Sequence, residues 1–235
     1  MPVSEQIDFL HTVPMFAEMD DDELSALAQD LRKCTLQAGE NLFFQGDEGN
    51  AVYIIASGLI RVYFHAPDGQ EVSVVLSGVG ELLGEMSLID QQPRSATAEA
   101  MEDTTLWVLS GEDFDRHLRA SPQLALNLML NLSARLRASN ETVKSLASLD
   151  VTRRIAKRLL SLAIRQGEHT TEGIRLTSRL TQSALASLIS ASRESTNRAL
   201  RALERKGLIG TQDGYIVLRK PDELGNLIGK DETWW

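Results

Sequence analysis

Leu83-Gly84-Glu85-Met86-Ser87-Leu88-Ile89-Asp90-Gln91-Gln92-Pro93-Arg94-Ser95-Ala96-Thr97-Ala98 is the stretch that decides both the fold and the chemistry of this chain. Gly84 lets the backbone turn tightly and come close to a ligand. A short helical turn beginning there aims N–H groups at an anion. Arg94 offers a bidentate fork for a phosphate, and Ser95, followed by the small Ala96, adds a hydroxyl. Glu85 is an acceptor for a ribose 2′-hydroxyl. Together these residues would hold a sugar phosphate within an otherwise apolar surround. For Glu85 and Arg94 taken alone, an ion pair closing a loop is the competing reading.

On the N-terminal side the pattern is first helical, then β. Residues 4–31 read as mostly helical with a break near Pro14, and Asp20-Asp21-Asp22-Glu23 makes an acidic helix start ahead of Leu24, Leu27 and Leu31. Short apolar runs follow at roughly ten-residue spacing: Leu42-Phe43-Phe44, Val52-Tyr53-Ile54-Ile55, residues 59–64, residues 72–76 and Thr105-Leu106-Trp107-Val108-Leu109. Turn signals separate them at Gly46-Asp47-Glu48-Gly49, Ser57-Gly58 and Pro67-Asp68-Gly69. This is the pattern of a compact β-barrel or sandwich.

On the C-terminal side the period becomes helical. A short helix is expected at 111–119 and a long one at 122–149, where Met129, Leu132, Leu136, Ser139, Val143 and Leu146 alternate at spacings of three and four. That is a coiled-coil seam with one polar interruption, at Ser139; an amphipathic helix packed on its own domain is the alternative. Further helices are expected at 151–166, 181–190 and 193–206. A hairpin then turns on Asp213-Gly214, and a weak helix starts at Pro221-Asp222. Thr181 and Ser192 are placed as helix caps. Arg193, Glu194 and Asn197 share one face of the helix after Ser192, with Arg198 on its edge. Arg can pair with guanine O6 and N7, and Glu can accept from cytosine N4. An ordinary surface helix laced with ion pairs would look similar.

The bulk numbers set bounds. With 43% hydrophobic and 24% charged residues, the 235-residue chain has a globular profile and room for two domains. No apolar run reaches a membrane span and the N-terminus lacks the features of a signal peptide, so a cytoplasmic protein without a membrane partner is expected. Cys34 stands alone, which rules out an intrachain disulfide or a four-cysteine cluster from one chain, and reads as a small residue at the start of a strand. The four histidines are scattered and no metal site is expected. Charge is uneven: residues 1–149 hold 9 Lys+Arg against 23 Asp+Glu, whereas residues 150–208 hold 12 against 5. A basic C-terminal third suits a polyanion.

Leu-Gly-Glu-Met-Ser-Leu followed by Arg-Ser-Ala-x-Ala resembles the phosphate-binding cassette of the cyclic-nucleotide-binding domain. Gly46-Asp47-x-Gly49, Val52-Tyr53-Ile54-Ile55 and Gly58 are similar to the upstream signature of the same domain, although Phe43 stands where a smaller aliphatic residue is usual. Leu149-Asp150-Val151-Thr152-x-Arg154-Ile155-Ala156 resembles the hinge of the cyclic-AMP receptor and fumarate-nitrate reduction regulator family of bacterial transcription factors. Ser192-Arg193-Glu194-x-x-x-Arg198 resembles the family's recognition helix, with Ser190 in place of a frequent turn glycine and Thr196 in place of an aliphatic residue. Ser139-Asn140 falls where the family carries a Thr-Ser pair that meets adenine.

The resemblance implies an α+β fold: a jelly-roll-like cyclic-nucleotide-binding β-roll with flanking helices (1–120), a long dimerisation helix and hinge (121–149), and a winged helix-turn-helix (150–235). It further implies a homodimer that reads double-stranded DNA at a TGTGA-like palindrome and is not an enzyme. The effector implied is cAMP or a related cyclic nucleotide, on Gly84, Glu85, Arg94, Ser95, Ala96, Ser139 and Asn140. The DNA-facing set is Thr181, Ser192, Arg193, Glu194, Asn197 and Arg198. A long polar loop at 166–173 lies where relatives touch RNA polymerase. The alternatives are the same fold with another effector or with constitutive DNA binding, and an enzyme subunit carrying a cyclic-nucleotide regulatory domain.

Overall fold

The computed structural model describes residues 3–66 and 71–229; the expected turn at Pro67-Asp68-Gly69 lies outside them. The chain divides into two compact units. The first comprises residues 1–69 and 74–138, and the second residues 70–73 and 139–235.

The first unit opens with α1 (Val3–Thr12) and α2 (Asp21–Asp30). Asp20 caps α2 reciprocally: its Oδ1 accepts from the Glu23 N–H at 2.8 Å, and the Glu23 carboxylate accepts from the Asp20 N–H at 3.2 Å. The strands are β1 (Arg32–Leu36), β2 (Asn41–Phe43), β3 (Ala51–Ser57), β4 (Ile60–His65), β5 (Glu71–Ser77) and β6 (Leu82–Leu83). After α3 (Glu85–Asp90) come β7 (Thr97–Ala100) and β8 (Thr104–Ser110), then α4 (Gly111–Ala120) and the long α5 (Pro122–Ser148). Two four-stranded sheets, ordered β1-β8-β3-β6 and β2-β7-β4-β5, make the roll. Cys34 sits in the middle of β1, opposite Leu106, rather than at its start.

The apolar runs were unbroken because β3 and β8 are buried on both faces. Val52, Ile54, Trp107 and Leu109 join the core beneath the helices, which also holds Leu24, Leu27, Phe114, Leu124 and Leu128. Ile55 and Leu106 point the other way, into the roll, with Ile60, Leu83, Ala98 and Ala100. Phe43, Tyr53 and Val62 line that interior. Along α5, Leu132 packs on the helical core, whereas Met129, Leu136, Val143 and Leu146 are exposed, Val143 by 65%.

The second unit contains α6 (Val151–Gln166), β9 (Gly167–Thr170), β10 (Gly173–Leu176), α7 (Gln182–Leu188), α8 (Arg193–Arg205), β11 (Ile209–Gln212), β12 (Tyr215–Leu218) and α9 (Pro221–Ile228). Asp150 caps α6. Residues 166–173, read from sequence as a long polar loop, supply most of a hairpin that spans 167–176. β10 pairs with both β9 and β12, giving a sheet ordered β11-β12-β10-β9. β9 is exposed over most of its length, so its sequence is polar, and the alternation of Ile174, Arg175 and Leu176 in β10 is too short to mark a strand by itself. Among the described residues no helix is long and apolar enough to cross a membrane.

Both helices of the helix-turn-helix end in the same motif. After α8, Gly207 takes φ +66°, the Gly207 N–H donates to Glu204 O, and the Leu208 N–H donates to Leu203 O. After α7 the same pair of bonds runs from the Ser190 N–H to Ser187 O and from the Ala191 N–H to Ala186 O, with Ser190 at φ +49°. This is a Schellman closure, which favours glycine at the left-handed position. It also ends α7 earlier than the sequence period suggested. Ser190→Gly is expected to stabilise the protein by about 0.5–1 kcal/mol, the left-handed penalty less the extra chain entropy of glycine. Urea unfolding followed by circular dichroism would measure it.

Candidate ligand pocket and nucleic-acid interface

Arg94 is a buried charge in the roll, with only 4% of its surface exposed. Its backbone is pinned on both sides: its N–H donates to Asp47 O, and its carbonyl accepts from the Gly46 N–H. Nη1 donates to Gly84 O at 2.6 Å and Nη2 to Ala51 O at 2.8 Å. The guanidinium carbon lies 4.5 Å from the Phe43 ring centre and 5.8 Å from that of Tyr53. Nε is buried and has no hydrogen-bond partner. Burial pulls the Arg94 pKa below the ordinary guanidinium value, an effect opposed by the neighbouring Tyr53 hydroxyl and Glu85 carboxylate. An anion set against the free Nε–H would restore what burial removes.

Two glycines make room for this side chain. A Cβ on Gly84, which has φ +85°, would lie 2.5 Å from Arg94 Nη1, and one on Gly49 would lie 2.9 Å from its Cζ. Gly84 therefore serves twice: it turns the chain into α3 and lets the guanidinium reach the backbone. Ser95 is exposed, and the contact of its hydroxyl is a weak one, with Met86 Sδ at 4.0 Å. Ala96 is buried beside it.

Glu85 does not close a loop with Arg94. Its side chain is 2% exposed and accepts from Arg135 Nη1 at 2.8 Å; Arg135 also donates through Nη2 to Leu82 O. Arg135 is a site residue that sequence reasoning missed. It stands one helical turn before Ser139 on α5, and a cation on the face next to Leu132 was the available signal. Gly84, Glu85, Arg94, Ser95 and Ala96 are thus brought together in the first unit. Ser139 and Asn140 are exposed on α5 in the second.

In the second unit Ser192 caps α8, its Oγ accepting from the Ser195 N–H at 3.2 Å, and Thr181 caps α7, accepting from the Ala184 N–H at 3.1 Å. Thr196 is fully buried, and its Oγ1 donates to Ser192 O at 3.0 Å. With its hydroxyl satisfied inside the helix, it packs as the aliphatic residue it replaces. Arg193, Glu194 and Arg198 are exposed. Glu194, Asn197, Arg198, Arg201 and Arg205 line one open trough along α8, so the basic face is longer than the sequence reading made it. Glu194 and Arg198 pair loosely at 3.7 Å, and Asn197 Oδ1 has no partner. Asp213 and Gly214 both take positive φ, turning the β11–β12 wing, and exposed Arg179 lies 5.0 Å from the Tyr215 ring centre beside that turn. Among the described residues, no group of three or more His, Cys, Asp or Glu is placed to hold a metal ion.

Residues 33–121 match the cyclic nucleotide-binding domain family, and residues 153–227 match the Crp-like helix-turn-helix domain family. The chain is 36% identical over 207 residues to the cyclic AMP receptor protein of Thermus thermophilus, covering 88% of this chain and 93% of that one. It is 29% identical over 217 residues to a CRP-like cAMP-activated global transcriptional regulator of Mycobacterium tuberculosis, covering 92% and 97%. The fold is similar to that of the c-di-GMP responsive global regulator of Xanthomonas campestris. The TM-score there is 0.74 at 26% identity, over 85% of this chain and 99% of that one.

Removing Arg135 strands a buried carboxylate, whereas removing both partners does not. Arg135→Met is expected to lower stability by about 3 kcal/mol. Adding Glu85→Gln should recover a large part of that loss. Urea unfolding of the single and double variants would check both values.

Proposed function

We propose, for a chain that belongs to the cyclic AMP receptor protein family of transcription regulators, that it is a homodimeric, sequence-specific DNA-binding protein switched by a cyclic nucleotide, cAMP first among the candidates. The observation that carries the ligand half is the Arg94 guanidinium: buried, held by two carbonyls, and left with an unpartnered Nε–H. A phosphate completes it, and Ser95 supplies a second donor. Glu85 takes the ribose hydroxyl while still paired to Arg135, so the ligand is tied through one carboxylate to α5. Ser139 and Asn140 are the proposed base contacts.

The exposed apolar residues of α5 support pairing of two chains along residues 122–149. Ligand binding then favours one setting of the hinge at Leu149-Asp150 and shifts the dimers toward the DNA-competent state. The two recognition helices would sit about 34 Å apart and read a near-palindrome. Arg193, Glu194 and Arg198 support a TGTGA-like half-site, and the β9–β10 hairpin offers an exposed edge to RNA polymerase. A second reading keeps the fold and changes the effector. The Ser-Asn pair at 139–140 favours it, as does the likeness to a regulator described as responsive to c-di-GMP.

Fluorescence anisotropy of a labelled TGTGA-N6-TCACA duplex, at one fixed salt concentration, separates these readings. Tight binding only with cAMP is expected. Tight binding without it would point to constitutive binding or to another effector, and no specific binding in either case would overturn the half-site. Arg193→Ala should weaken binding to that duplex by about 1–3 kcal/mol while leaving most of the salt-dependent binding to unrelated DNA. An equal loss on both duplexes would remove Arg193 from base reading.

A further inference from the structure

The phosphate arginine is held by more than the cassette. Two carbonyls, Gly84 O and Ala51 O, fix where the Arg94 Nη atoms point. One face of the guanidinium is set by a ring: Phe43, on β2, lies against it at 4.5 Å and is itself braced by Tyr53, whose ring centre is 5.9 Å away with the planes 37° apart. Phe43 stands where the domain usually carries a smaller aliphatic side chain, which could pack in the roll but would present no π face to a cation.

We propose that Phe43 is a positioning residue for the effector's phosphate. Its ring fixes the plane of the Arg94 guanidinium so that the unpartnered Nε–H is the edge offered to the ligand. The inference rests on reading Arg94 as the phosphate-binding residue. The cation–π contact is formed before the ligand arrives, so the ordering of a long, flexible side chain is already complete when the anion binds. Because the ring acts on the phosphate arm and not on the base, its effect is common to every nucleotide that uses Arg94.

Calorimetric titration of the full chain with cAMP and with cGMP tests this. Phe43→Leu and Phe43→Met keep an apolar side chain of similar bulk and lose the ring. Phe43→Tyr keeps the ring. Leu and Met are expected to weaken both nucleotides about 3- to 30-fold, leaving the ratio of the two affinities unchanged, and Tyr to stay within about 2-fold of the unmodified chain. Thermal unfolding of each ligand-free variant identifies any that does not fold, and the remaining aliphatic variant carries the comparison. The proposal is overturned if the aliphatic variants bind as tightly as the unmodified chain. It is equally overturned if Tyr loses as much as Leu, or if the cAMP-to-cGMP ratio moves. If the unmodified chain binds neither nucleotide, the phosphate reading of Arg94 falls first, and the role of Phe43 with it.

Discussion

A guanidinium leaves water at a cost that falls as its nitrogens find acceptors, and the ligand pocket of the first unit is organised around that condition at Arg94. Its two Nη donors go to Gly84 O and Ala51 O, the first residue before α3 and the second opening β3. Those carbonyls are within reach only because positions 49 and 84 have no side chain. Asp47 O and the Gly46 N–H hold the backbone of Arg94 itself, so the loop after β2 is fixed by the same residue. One buried cation thereby joins β2, β3 and α3, and Nε, the one guanidinium nitrogen left without a partner, marks where an anion belongs.

The second unit handles its polar groups in the opposite way, by satisfying them locally. Thr181, Ser192 and Asp150 spend their side chains on the N–H groups of the helices they begin. Thr196 returns its hydroxyl to Ser192 O. These residues are absorbed into the scaffold, and the residues left for a partner are the charged ones on the open side of α8. The two sites differ accordingly: a buried cation with one unpartnered nitrogen in the first, and an exposed row in which Arg198 is paired only loosely, at 3.7 Å, in the second.

Much of this was legible in the sequence, for identifiable reasons. The bounds of α6 could be read because a run of apolar residues at helical spacing follows an Asp cap. The wing could be read because Asp213-Gly214 suits a left-handed turn. The cassette around Arg94 was legible because its residue types suit only a few tasks. What was not legible depended on partners distant in the chain. Arg135 lies 50 residues from Glu85, and locally only its place on the face next to Leu132 sets it apart from Arg137. The fork of Arg94 looked free for a phosphate because the two carbonyls that occupy it carry no sequence signature. Residues 166–173, at the β9–β10 hairpin, were read as loop because β9 is polar and the strand it pairs with is held by β12, some forty residues on.

That hairpin has a further property. Its register is fixed twice: by β9 on one side and by β12 on the other, where Ile174 faces Leu218. Gly173, at φ +135°, is pressed against the Leu218 carbonyl and admits no side chain. The tip at Thr171-Glu172 is outside the ladder and exposed. Slipping β10 by one residue would turn buried Leu176 outward, whereas adding residues at the tip leaves the strand ladder in register. Length is unconstrained at this one point of an otherwise rigid sheet, which makes it the natural seat for an inserted fluorophore tag or epitope.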